Sequence, residues 1–108
     1  MTVNGLLTLD GFEPVVITDD SREIEGVYIG DLLSWVMGNA QSGDAWITIM
    51  SNINILAVAS LTDVSCIVLA EGVTLESDVM ATAKEKGINV VSSPFSAYDI
   101  AVNLSGAL

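Results

Sequence analysis

Histidine is absent from this chain of 108 residues, cysteine and arginine occur once each, and three basic residues stand against fourteen acidic ones. Without histidine there is no Ser-His-Asp or Cys-His arrangement, no imidazole general base and no histidine-based zinc or iron site. No GxxxxGK[ST] segment is present, which removes P-loop nucleotide hydrolases and kinases. A lone Cys66 excludes a disulfide framework. It lies inside the apolar run Val64 to Leu69, where a thiol serves as a small core hydrophobe, as suits a reducing, cytoplasmic location. No stretch approaches ~18 uninterrupted apolar residues, and the opening MTVNGLLTLDGFEP has neither a basic n-region nor a long apolar core, so no membrane span or signal peptide is expected. A formal charge of −11 repels phosphate backbones and anionic lipid, which argues against nucleic-acid and membrane partners.

What is present is apolar. Hydrophobic residues make up 51% of the chain, enough for one core in one domain over residues 1–108 that buries about two-thirds of its unfolded surface. Periodicity alternates between short β-type runs and helical runs. Val3 to Leu9 is a candidate short helix, weakened by Asn4-Gly5. Phe12 to Ile17 and Val27 to Ile29 read as strands, followed by a helix from Asp31, as N-cap, to Asn39. Three βα units follow. Ala45 to Met50 leads into a helix from about Asn52 to Leu61. Ser65 to Ala70 leads into a helix capped by Thr74 and ended by Gly87, with Lys84 and Lys86 in its last turn. Ile88 to Val91 leads into a terminal helix from near Phe95. Strands that are apolar throughout predict a sheet covered on both faces. The expected fold is therefore α/β, a two- or three-layer sandwich around a mostly parallel sheet of about five strands.

Such a sheet places ligands beyond the carboxyl ends of its strands. Ser51-Asn52, Glu71 to Thr74 and Ser92 to Ser96 belong to that edge, where hydroxyls and backbone N–H groups cradle anions or simply cap helices. Arg22 is the sole strong counter-charge for such an anion, and Gly26 and Gly30 flank the short strand that follows it. Asp19, Asp20, Glu23 and Glu25 cluster around Arg22. An enzyme working with carboxylates alone requires Asp19, Asp20 and Glu23 to converge with it on one pocket; a solvated turn is the simpler expectation, and no metal site, cofactor or catalytic residue is predicted.

The run SREIEGVYIGDLLS from Ser21 to Ser34, with Ala45 to Ile49, Asn54 to Ala59, Gly87-Ile88 and Ser92 to Tyr98, resembles the DRTGG domain family over nearly the whole chain. Arg22 and Gly26 match the name-giving motif, whereas Ser21 replaces its aspartate and Glu25-Gly26-Val27 stands where Thr-Gly-Gly is expected. The resemblance implies an accessory domain like those beside the catalytic domain of some phosphotransacetylases and between CBS domains of regulated pyrophosphatases, and one similar to the N-terminal domain of HPr kinase/phosphorylase. It implies regulation or subunit contact, with stand-alone members in anaerobic bacteria beside hydrogenase-related genes and a protein partner of that kind. No kinase, acetyltransferase or pyrophosphatase motif accompanies it.

Two functions follow. The first is a non-catalytic regulatory or interaction domain that forms a homodimer through the helix Asp31 to Asn39 and its adjoining strand. Tyr28, Leu33, Trp35 and Met37 are the interface candidates, because a helix apolar at most positions cannot bury every side chain in one small monomer. The second is a sensor that binds a nucleotide or another anion at the carboxyl edge through Arg22, Gly26, Gly30, Ser51, Asn52, Ser92 and Ser93.

Overall fold

The computed structural model describes residues 1–108. In chain order the elements are α1 (Val3–Leu7), β1 (Glu13–Val16), β2 (Gly26–Ile29), α2 (Leu33–Asn39), β3 (Asp44–Thr48), α3 (Asn54–Thr62), β4 (Cys66–Leu69), α4 (Ser77–Lys86), β5 (Val90–Ser92) and α5 (Ala97–Ser105). The expected five-stranded sheet is present, in the order β1-β5-β4-β3-β2. β2, β3, β4 and β5 run parallel, and β1 pairs antiparallel with β5.

The parallel strands advance across the sheet in one direction. Right-handed crossovers then carry α2, α3 and α4 over the same face, where α2 packs on α3 and α3 on α4. The pleat sends Trp46, Ile67, Leu69 and Val90 into that layer, against Ile55 and Leu56 of α3 and Val79 and Ala83 of α4. Alternate residues Ala45, Ile47, Cys66, Val68 and Val91 face the opposite way, against Val3 and Leu6 of α1 and Ile100 and Leu104 of α5. The result is a three-layer sandwich. Each fully buried Ile or Leu contributes about 1.5–3 kcal/mol, so the two half-cores together carry the fold.

Several boundaries differ from expectation for identifiable reasons. Asp31 is not the N-cap of α2. Leu32 holds that position without a side-chain bond, because the Asp31 carboxylate accepts from Thr48 Oγ1 (2.8 Å) and the Ile49 N–H (3.0 Å), tying the start of α2 to the end of β3. Thr74 does not cap α4, which begins only after Glu76. Gly87 does close it, in the left-handed conformation with φ +72°. The terminal helix starts at Ala97, capped by the Ser96 hydroxyl.

Candidate functional site

At the carboxyl ends of the parallel strands, Ser93, Asn52 and Gly30 among the predicted anion ligands are tied into the fold. Ser93 is buried and its hydroxyl accepts from the Phe95 N–H. Asn52 accepts from the Asn54 N–H at the start of α3. The Gly30 carbonyl accepts from the Trp46 indole at 2.9 Å, and a Cβ on Gly30 would stand 2.9 Å from the Tyr28 ring. Ser51 is half-buried beside β3 and Ser92 ends β5. No cavity opens among these residues; both cavities of the molecule lie elsewhere. The physical reason is topological. A ligand crevice at that edge forms where the order of parallel strands reverses, and β2 to β5 never reverse.

Arg22 and Gly26 sit at the opposite, amino-terminal edge, so they are not brought together with Ser51, Asn52, Ser92 and Ser93. Gly26 opens β2 opposite Asp44, whose Oδ1 a Cβ on Gly26 would approach to 2.6 Å. Arg22 Nη2 donates to the main-chain oxygen of Asp63 at 2.7 Å and pairs with its Oδ1 at 3.0 Å. Asp63 is the left-handed C-cap of α3, with φ +58°. Its main-chain oxygen also accepts from the Gly43 N–H at 3.0 Å, and its Oδ2 from the Ser42 hydroxyl at 2.5 Å. Arg22 thus supplies a cation where the carbonyl end of a helix dipole favours one. The Ser42 hydroxyl, and then Arg22, hold the Asp63 carboxyl below the usual carboxylate range.

Asn89 secures the same segment to the sheet. Its Oδ1 accepts from the N–H groups of Thr18 (2.8 Å) and Asp19 (3.0 Å), and its Nδ2 donates to the carbonyls of Asp19 (2.8 Å) and Ser65 (3.1 Å). The Ser65 hydroxyl donates to the Glu23 carbonyl. Around these anchors lies a cleft of about 230 Å³ lined by Asp19, Arg22, Ser60, Asp63 and Lys86, among others. Sequence reasoning found Arg22 but not Asp63, Asn89 or Lys86. The available signals were an asparagine inside the apolar run Ile88 to Val91 and an aspartate directly before the Val64 to Leu69 run.

The acidic residues around Arg22 do not converge. Asp19, Asp20, Glu23 and Glu25 are all exposed, Glu23 turns to the Met1 amino group at 3.0 Å, and only Asp19 lines the cleft. The requirement of a carboxylate-only enzyme is unmet. Cys66 is fully buried, and burial pushes its thiol up to about 12, which leaves it no nucleophilic role.

Among the interface candidates, Tyr28 and Leu33 pack partly against the core, while Trp35 (65% exposed) and Met37 (44%) face solvent. Leu32, Ile29, Ile49, Ile53 and Leu61 are also exposed. Residues 32–62, which include α2 and α3, contain one charged side chain, the buried Asp44. The outer surface of these two helices is therefore free of charge. No helix of the molecule is long and apolar enough to cross a membrane.

A crystal structure of the CBS and DRTGG domains of the regulatory region of Clostridium perfringens pyrophosphatase, complexed with the activator diadenosine tetraphosphate, shares this fold. The TM-score is 0.71 at 19% identity, over 93% of this chain and 43% of that one, so the chain spans less than half of that structure. No curated protein matches it. The family model of the DRTGG domain matches residues 13–107, which take in the Arg22 segment, all five strands and every helix but α1. The chain therefore belongs to the DRTGG domain family.

Proposed function

We propose that this domain is a non-catalytic regulatory module that self-associates as a homodimer through the uncharged face of α2 and α3. The carrying observation is the distribution of charge. Two copies of a chain with net charge −11 repel each other on almost any approach, yet residues 32–62 present no exposed charge and expose Leu32, Trp35, Met37, Ile53 and Leu61. A basic partner would select an acidic surface; this face suits a second copy of itself, in the self-complementary manner of a two-fold dimer. Tryptophan, here the exposed Trp35, is a residue type that anchors such contacts.

The regulatory reading draws on the family and on the fold shared with a pyrophosphatase regulatory region. Sedimentation equilibrium tests the association. A dimer at about 10 μM that becomes monomeric in Trp35→Asp is the expected result, and a monomer at that concentration overturns the dimer.

A further inference from the structure

Two of the three basic side chains of the chain, Arg22 and Lys86, line the single cleft at the amino-terminal edge of the sheet. Each has unused capacity. A guanidinium carries five N–H donors. Arg22 commits Nη2 to Asp63, and Nε and Nη1 have no acceptor in the protein and are open to solvent. Lys86 forms no ion pair. The cleft also has a negative side. Asp19 and Asp63 line it, and the Ser21 hydroxyl and the Ser42 hydroxyl respectively help to hold their carboxyls ionised. The carbonyl ends of α3 and α4 terminate there, at Asp63 and Gly87.

These charges discriminate between ligand classes. A phosphate or nucleotide would meet two carboxylates and two negative helix ends, and a simple cation would meet Arg22 and Lys86. A volume of about 230 Å³ falls below the ~300–1,000 Å³ of sites that enclose drug-sized molecules, so the cleft suits a small ligand better than a whole nucleotide. We infer that the cleft binds a small zwitterion of the amino-acid type, its carboxylate toward the free N–H groups of Arg22 and the ammonium of Lys86, its own ammonium toward Asp19, Asp63 and the carbonyl ends of α3 and α4. The Ser60 hydroxyl, which makes no hydrogen bond within the protein, is a further partner on the wall of the cleft.

The test uses the intact chain labelled with ¹⁵N, titrated with L-serine, inorganic phosphate and ethylammonium chloride at matched ionic strength. L-serine is expected to give saturating shifts of the Ser60, Lys86, Gly87 and Asn89 amides, with neither single-charge probe doing so. Lys86 makes no ion pair in the fold, so Lys86→Gln keeps the folded structure, read by unchanged circular dichroism, and weakens L-serine binding about tenfold. Absence of saturation by L-serine, equal saturation by phosphate or by ethylammonium, or an unchanged affinity in Lys86→Gln overturns the proposal. The readout does not involve the α2–α3 face, and Trp35→Asp is expected to bind L-serine as the parent does. Failure of dimerisation and failure of this site are therefore separate results.

Discussion

Arg22 Nη2 lies 2.7 Å from the main-chain oxygen of Asp63 and 3.0 Å from its Oδ1, so one guanidinium closes the end of α3 and fastens the segment between β1 and β2 to it. The same main-chain oxygen receives the Gly43 N–H at the start of β3. The matched motif arginine of this domain is thus first a fastening between chain segments.

Replacing Arg22 by alanine removes a charge-assisted hydrogen bond and an ion pair that is partly open to solvent. A loss of about 1–2 kcal/mol is expected, below the value for a buried pair because water screens Asp63. Urea denaturation reads it as a lower midpoint with unchanged far-ultraviolet circular dichroism. Arg22→Lys recovers part of the loss, since one nitrogen, Nη2, makes both contacts and an ammonium carries donors enough for both on a shorter side chain.

Acid sensitivity follows from Asp63 and Asp19. The Asp63 carboxyl is lowered from 3.8 by the Ser42 hydroxyl and by Arg22, and that of Asp19 by the hydroxyl and then the N–H of Ser21. A folded-state pKa below the unfolded one adds stability that is present in full above the unfolded value and is lost as pH falls through the folded one. The urea midpoint should therefore hold from neutrality to about pH 5 and decline below about pH 4. Asp63→Asn should be less stable near neutrality and show a shallower decline in acid.

Asn89→Ala leaves the Thr18 and Asp19 N–H groups and the Asp19 and Ser65 carbonyls without their partner. With one buried and three partly buried hydrogen bonds lost at once, a cost of about 2–3 kcal/mol is expected. Hydrogen exchange at the Thr18 and Asp19 amides should accelerate ahead of the amides of β3 and β4. Asn89→Asp does not rescue, because a carboxylate cannot donate to the Asp19 and Ser65 carbonyls.

Cys66 should react with iodoacetamide only when the chain unfolds, because the side chain is fully buried and its thiol is raised from 9.0 to about 12. A folded value above the unfolded one means that this contribution is intact below about pH 9 and is lost progressively as pH rises above it. Alkylation rates measured against urea should follow the global unfolding curve. Rapid labelling of the native protein would contradict the burial of β4.

Much of the layered fold was legible in the sequence. Ala45 to Met50, Ser65 to Ala70 and Ile88 to Val91 are mostly apolar short runs, the pattern of a strand buried on both faces, and Gly87 with Lys84 and Lys86 marks a helix end through local chemistry. Asp31 does not cap α2, because capping is local in its signal but not in its competition. The Asp31 carboxylate found better partners seventeen and eighteen residues away, at Thr48 and Ile49.

Composition and local periodicity settled the class of fold and the exclusion of histidine and P-loop chemistry, since these depend on residue types and on spacings within one element, while the family resemblance rested on particular runs such as Ser21 to Ser34. Strand order was decided only in three dimensions. It carries Arg22 to the amino-terminal edge, away from Ser92 and Ser93 and beside Asp63 and Asn89, which lie 41 and 67 positions further along the chain. It also places the uncharged α2 and α3 side by side in one layer. No pattern within a single segment encodes which segments become neighbours; that choice belongs to the packing of two half-cores on a sheet whose crossovers all turn the same way.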